Sequence, residues 1–141
     1  MKKLSYIFVL LTFILIGCNQ EGSSKEPNLE FEKVQKVVIE SIEQPNTTLE
    51  QKSEIEAFVE ALKVEEWILA NLPENLTISK TYSLFQSDTI QLGENSSDNK
   101  ELEQIGTILT YKNSDYITLQ MGVVKVNYKV PEDVADFLAN N

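Results

Sequence analysis

The chain contains no histidine, and all twelve of its basic residues are lysines. Without histidine it lacks the base of Ser-His and Cys-His catalysis and the commonest nitrogen ligand of transition metals. Without arginine it lacks the side chain that clamps phosphates and carboxylates through two parallel hydrogen bonds. Its five glycines form neither G-x-G-x-x-G nor G-x-x-x-x-G-K-[ST], the loops that cradle nucleotide phosphates. We therefore predict no catalytic residue, no bound metal and no cofactor.

Cysteine occurs once, and its surroundings indicate an export route. Lys2 and Lys3 precede an apolar run at residues 4–16, which is shorter than the roughly 20 residues of a transmembrane helix. The run ends in Leu15-Ile16-Gly17-Cys18, which resembles the lipobox of bacterial lipoprotein precursors. The resemblance implies cleavage after Gly17 and a diacylglycerol group on the Cys18 thiol.

These boundaries divide the chain into three parts. Residues 1–17 are expected to be the signal peptide, residues 18–28 the lipidated cysteine with a polar, flexible tether, and residues 29–141 a single domain. Two acyl chains anchor a protein stably to a membrane, whereas one is marginal. We expect the domain on the extracytoplasmic face of the cell membrane. The arginine-free composition, rich in lysine, asparagine and isoleucine, favours a Gram-positive source.

The charge of the chain is strongly acidic. There are 22 acidic and 12 basic residues, so the net charge is −10, and it becomes −12 once the two lysines of the signal are removed. An acidic surface repels nucleic acids and anionic lipid headgroups. Nucleic acid is therefore excluded as a partner, and the covalent lipid on Cys18 is the expected link to the membrane.

Residues 29–141 predict an α+β domain in which an antiparallel sheet carries one main amphipathic helix and a short C-terminal helix. Runs of β-branched and aromatic residues, bounded by turn residues, predict the strands. These lie at residues 29–43, starting near Glu32, and at residues 76–85, 89–92, 104–111, 115–121 and 123–130. Turns are predicted at residues 44–46, 86–88, 112–114 and at Gly122, while residues 64–72 remain ambiguous.

The main helix is predicted after two candidate N-caps, Thr47 and Thr48, each followed three residues later by Glu50 or Gln51, as in a capping box. An i, i+3, i+4, i+7 spacing predicts its buried stripe: Ile55, Phe58, Val59 and Leu62. The helix is expected to end near Lys63. Pro131 favours the first turn of a second helix, with a short apolar stripe formed by Val134, Phe137 and Leu138.

The body of the chain is similar to the small YhfM-type lipoproteins of Bacillus relatives. The likeness rests on the segments KVQKVVIESI, EIEAFVEAL and SLFQSDTIQL and on the final short helix, and it spans residues 31–139. The family has no assigned activity. The resemblance therefore implies a fold and transfers no catalytic residue to this chain.

Three functions fit these features. The first is a non-catalytic binding or accessory module with a protein partner at the cell envelope. The second is a carboxylate-dependent hydrolase of envelope glycans, for which Glu65 and Glu66 beside Trp67 are the candidate acids. The third is a small-ligand or calcium sensor, for which the loop at residues 93–103 offers oxygen ligands without the EF-hand spacing.

An aromatic binding face is a further possibility that the sequence raises. Four tyrosines fall on predicted strands: Tyr82, Tyr111, Tyr116 and Tyr128. Cross-strand packing of aromatic rings explains such positions equally well. We predict packing rather than binding for these residues. A flat, partly apolar sheet face or an exposed edge strand would favour the binding module, and a deep cleft holding two acids would favour the hydrolase.

Overall fold

The computed structural model describes residues 29–87 and 101–141. The export signal, Cys18, the tether and the predicted strand at residues 89–92 lie outside these residues. In chain order the elements are β1 (Lys36–Ser41), β2 (Thr47–Leu49), α1 (Lys52–Leu62), β3 (Ile68–Leu69), β4 (Ile78–Ser87), β5 (Leu102–Tyr111), β6 (Tyr116–Met121), β7 (Val124–Lys129) and α2 (Glu132–Asn140). Neither helix of the described ranges has the length and apolarity needed to cross a bilayer.

The seven strands of the described residues form one antiparallel sheet in the order β2-β1-β4-β5-β6-β7-β3. The α+β class predicted from the sequence is confirmed. The two outermost strands, β2 and β3, are three and two residues long. Strands this short cover only part of the longer strands beside them, β1 and β7.

Both helices pack on the same face of the sheet, and Phe58 lies at the centre of that packing. Its side chain is 2% exposed, and its ring centroid is 5.6 Å from that of Tyr82 on β4 and 5.9 Å from that of Phe137 on α2. Ile55 and Leu62 of the predicted stripe are also buried, whereas Val59 is half-buried. The register predicted for α1 is therefore confirmed, as is its end at Lys63, which adopts the left-handed conformation.

The C-terminal end of α2 is held by two side chains from β4. The Tyr82 hydroxyl donates a hydrogen bond to the carbonyl oxygen of Leu138 at 2.5 Å, and Lys80 Nζ donates to the carbonyl oxygen of Ala139 at 2.9 Å. Lys80 also donates to the backbone oxygen of Asn141. These bonds satisfy carbonyls that have no partner within the helix, and a cation there opposes the negative end of the helix dipole. Lys80 is 4% exposed, and its burial lowers the pKa of its ammonium group.

Two sequence predictions of the N-terminal half were wrong in detail. The first strand begins at Lys36 rather than near Glu32, because a 3-10 turn at Phe31–Lys33 precedes it and buries Phe31. Thr47 and Thr48 do not cap α1. They belong to β2, where these β-branched residues pair with Ile39 and Val38. Gln51 is the N-cap, and it makes no side-chain capping bond.

The turn predicted at residues 86–88 was also wrong, because β4 continues to Ser87. Gln86 and Ser87 pair with Glu103 and Leu102 on β5. The later elements were predicted correctly: the hairpin turn at residues 112–114, the turn at Gly122, and a final helix with Val134 and Leu138 buried. The ambiguous segment at residues 64–72 contains a 3-10 turn at Val64–Glu66 followed by β3.

The buried Tyr82 predicts a loss of stability at alkaline pH. Burial raises the pKa of the Tyr82 phenol well above its ordinary value of 10. Above pH 10 the unfolded chain therefore releases this proton while the folded chain retains it. The contribution of Tyr82 is fully present below pH 10 and declines as the pH rises further, by about 1.4 kcal/mol per pH unit. Urea unfolding at pH 9 and pH 11 should show this loss in the wild type.

The Tyr82→Phe variant isolates that effect. It should be less stable than the wild type at pH 9 by about 1 kcal/mol, because the Leu138 carbonyl loses its donor. Between pH 9 and pH 11, however, it should lose less stability than the wild type. An equal loss in the two proteins would contradict the burial of this phenol.

Candidate binding surface

One half of the β7 edge has no neighbouring strand in the described structure. β3 pairs with Tyr128 and Lys129, and the Ala70 N–H donates to the carbonyl of Asn127 at 3.0 Å. β3 ends at Leu69, one residue before Ala70. Residues 124–126 of β7 are therefore paired with β6 on one side and with no described strand on the other.

We call the unpaired side of residues 124–126 the free edge. Successive residues of an antiparallel strand point their backbone N–H and C=O groups to alternate sides, which shows which groups face the free edge. Asn127 directs its carbonyl towards β3, and its side-chain Oδ1 accepts a hydrogen bond from Thr118 Oγ1 on β6 at 2.7 Å. Thr118 and Asn127 are therefore directly opposite each other and form a pair that does not exchange backbone hydrogen bonds. Alternate residues of a strand share one orientation. Lys125 therefore also points its N–H and C=O away from β6, towards the free edge.

Exposed apolar side chains flank this edge on both sides. Val123 is 99% exposed, and Val124 is 42% exposed, at the turn that joins β6 to β7. Ile68 and Leu69 of β3 are 68% and 63% exposed. These four residues, which we call the apolar edge, are the majority of the seven large hydrophobic residues exposed in the described chain. Ile68 and Leu69 lie near one end of the unpaired segment of β7, and Val123 and Val124 lie at the other end.

The two lysines of β7 differ in their electrostatic surroundings. Lys129 Nζ lies 3.2 Å from a carboxylate oxygen of Asp115 and 5.7 Å from the ring centroid of Tyr116. Lys125, at the centre of the free edge, has no ion-pair partner within residues 29–87 and 101–141. The edge therefore presents an uncompensated positive charge on a chain whose net charge is −10.

The Trp67 side chain is half-buried and packs against the hydrophobic core. Its Nε1–H donates to the carbonyl of Leu62 at 2.7 Å, and its ring contacts Phe31 and Tyr128 at centroid distances of 5.8 and 5.4 Å. Glu65 and Glu66 precede it in the 3-10 turn, and both are exposed. This arrangement joins the end of α1 to β7 and leaves the two acids in solvent.

The described carboxylates are all exposed except Asp115, which is half-buried and paired with Lys129. A polar groove of about 770 Å³ near the β5–β6 turn is lined by four acids: Glu43, Asp115, Glu132 and Asp136. Glu43 accepts a hydrogen bond from Lys112, and this bond lowers the pKa of its carboxyl group. Glu132 and Asp136 occupy successive turns of α2. They therefore project from one side of the groove and do not flank a bond from opposite sides.

The loop proposed for calcium lies mostly outside the described residues. Residues 93–100 are not described, and Leu102 and Glu103 belong to β5, where they pair with β4. Within residues 29–87 and 101–141 there is no group of three or more acidic or cysteine side chains suited to a metal ion.

The four strand tyrosines do not form one face. Tyr82 is buried beneath the helices, and Tyr128 packs on Trp67. Tyr82 and Tyr128 project from the helix-bearing face of the sheet. Because successive side chains of a strand alternate between faces, Tyr111 and Tyr116 project from the other face, away from the helices. The Tyr111 hydroxyl lies 2.7 Å from Thr118 Oγ1. Tyr111 and Tyr116 contact neighbouring strands, whereas Tyr82 and Tyr128 pack on Phe58 and Trp67, so the four tyrosines do not form a shared aromatic surface.

The apolar edge was missed in the sequence. Val123 and Val124 read as the beginning of a strand, although consecutive valines directly after Gly122 are unusual in a hairpin turn. Gly122 has a φ of 57° and Val123 does not have a positive φ, which matches a two-residue type II′ turn. A valine at the second position of this turn was the signal in the sequence that an apolar side chain would be exposed there. Ile68 and Leu69 gave none, because a two-residue strand has no periodicity.

No protein-family model, no curated protein and no solved structure matches this chain.

Proposed function

We propose that this protein is a bacterial lipoprotein, held on the extracytoplasmic face of the cell membrane by diacylglycerol on Cys18. Its domain would be a non-catalytic module that binds another envelope protein through the apolar edge. The anchor rests on the resemblance of residues 15–18 to a lipobox. The binding role rests on one observation, the exposure of Ile68, Leu69, Val123 and Val124 along a single sheet edge.

While these four side chains are exposed to water, the domain lacks the free energy that their burial would provide. Each large apolar side chain gains about 1.5–3 kcal/mol when it is fully removed from water. The acidic surface keeps such a domain in solution, so the patch can persist without causing aggregation. Burial of the apolar edge against a partner would recover part of that free energy, and this supports binding as its role.

The carboxylates of the described residues favour binding over glycan hydrolysis. Hydrolysis by two acids requires one carboxylic acid that stays protonated near neutral pH, and burial usually provides this. Glu65 and Glu66 are exposed. Glu132 and Asp136, the unpaired acids of the polar groove, are exposed as well.

Site-specific photo-crosslinking in the producing bacterium tests the binding role. A photoreactive residue in place of Val123 should yield an adduct of discrete mass with the partner, because the side chain at this position is exposed within the proposed interface. The matched control carries the same residue in place of Ala57, which is exposed on α1. Ala57 should yield no adduct. Absence of an adduct at Val123, or the same adduct at both positions, would contradict the proposal.

A further inference from the structure

We propose that the free edge of β7 binds its partner by β-strand addition, and that the partner segment alternates apolar and acidic residues. This inference rests on the binding role proposed above and specifies its geometry and chemistry. The added strand would lie beside residues 124–126 and continue the line of β3, which ends opposite Tyr128 and is followed by the bond from Ala70 to Asn127.

The backbone provides the first requirement for strand addition. The N–H and C=O of Lys125 point to the free edge, as shown by the bond between Ala70 and Asn127 two residues further along β7. An extended peptide can donate to this carbonyl and accept from this N–H without disturbing the bonds between β7 and β6. β3 already demonstrates that this edge accepts an antiparallel strand.

The side chains specify what the added strand should contain. Lys125 projects from the face opposite the helices and has no described ion-pair partner, so an acidic residue directly across from it would form a favourable cross-strand pair. Val124 and Val126 project from the helix-bearing face, where apolar residues of the partner would pack against them. The complementary pattern is therefore apolar, acidic, apolar.

A second copy of the chain fits this edge poorly. Two β7 strands meeting antiparallel about a two-fold axis at Lys125 would place the two lysines directly opposite each other, which is destabilising. Charge complementarity therefore points to a different protein that carries an acidic, extended segment.

Amide hydrogen exchange on the full chain in detergent micelles tests the geometry. In the free protein the Lys125 amide should exchange rapidly, whereas the amides of Val124 and Val126, bonded to β6, should exchange slowly. A blocked heptapeptide of alternating valine and glutamate at millimolar concentration should slow exchange at Lys125 by about tenfold or more. The control peptide, with lysine in place of glutamate, should not. Slow exchange at Lys125 without peptide, or equal protection by both peptides, would overturn the proposal.

Two substitutions separate strand addition from other binding modes. Lys125→Pro removes the outward N–H and leaves the pairing with β6 in place, because proline is tolerated where the N–H faces away from the sheet. Lys125→Thr removes the charge and retains the N–H. The Val123 photo-adduct should disappear in the proline variant and be weakened but retained in the threonine variant. Both variants should keep the wild-type melting temperature within a few degrees.

These outcomes distinguish the two proposals. If the adduct persists in a folded Lys125→Pro variant, the protein binds through the apolar edge without strand addition. If no adduct forms at Val123 even in the wild type, while the glutamate peptide protects Lys125, the edge accepts strands but the envelope partner does not bind there. Self-association of the full chain that is lost in Lys125→Pro would identify a second copy as the occupant and overturn the acidic partner.

Discussion

Phe58→Asp is expected to abolish cooperative folding. The phenyl ring is 2% exposed and contacts Tyr82 and Phe137, so its removal leaves a cavity between α1, α2 and the sheet. Loss of a buried phenylalanine costs about 3–5 kcal/mol, and a buried carboxylate without a partner adds several more. A domain has about 5–15 kcal/mol of stability in total. Circular dichroism of the full chain should therefore show no sharp thermal transition.

The neighbouring residue provides the control. Ala57 is exposed on the same helix, so Ala57→Asp introduces the same side chain into solvent. It should lower the stability by only about 0.7 kcal/mol, the helix-propensity difference between alanine and aspartate. Equal melting temperatures for the Phe58 variant and the Ala57 variant would contradict the helix register described here.

Cys18→Ala is expected to remove the lipid completely. If the Cys18 thiol carries the diacylglycerol, its loss leaves no atom to which the group can be attached. Cells grown with a palmitate analogue should then show label on the wild-type protein and none on the variant, and the variant should leave the membrane fraction or remain uncleaved after Gly17. Two acyl chains would account for stable attachment, so a variant that is still cleaved after Gly17 should show a large loss of membrane residence.

Gly17→Ala is the control for this experiment. The lipobox that residues 15–18 resemble accepts glycine or alanine before the cysteine, so this variant should be labelled and processed like the wild type. Label that persists in the Cys18→Ala protein would show that another residue carries the lipid, and the proposed anchor would be wrong.

The sequence predicted those elements whose signals are local. The stripe of α1 depends on residues three and four apart in one helix, and its burial at Ile55, Phe58 and Leu62 followed from that spacing. Hairpin turns such as the one at residues 112–114 are encoded by a few adjacent turn residues. Thr47 and Thr48 were misassigned because these residue types both cap helices and favour strands. Their pairing with β1 makes them strand residues, and this long-range pairing is not visible in any local sequence pattern.

The candidate surface depended on information that the sequence pattern did not contain. Strand order is set by long-range pairing, so the sequence could not show that β7 lies near an edge and that β3 covers only part of it. Lys80 is a similar case. A lysine within a strand reads as a solvent-exposed residue, but here it is buried, because the carbonyls at the end of α2 provide its hydrogen-bond partners.

The attachment of α2 has a consequence for the order of folding. A nine-residue helix is too short to be stable in water by itself, so α2 depends on docking to remain helical. Two of its anchors, Tyr82 and Lys80, precede their partners by 56 and 59 residues. The chain must therefore close a long loop, with β4 already in place, before this helix gains its support. We expect α2 to consolidate late in folding and to be the first element released when the native state opens locally.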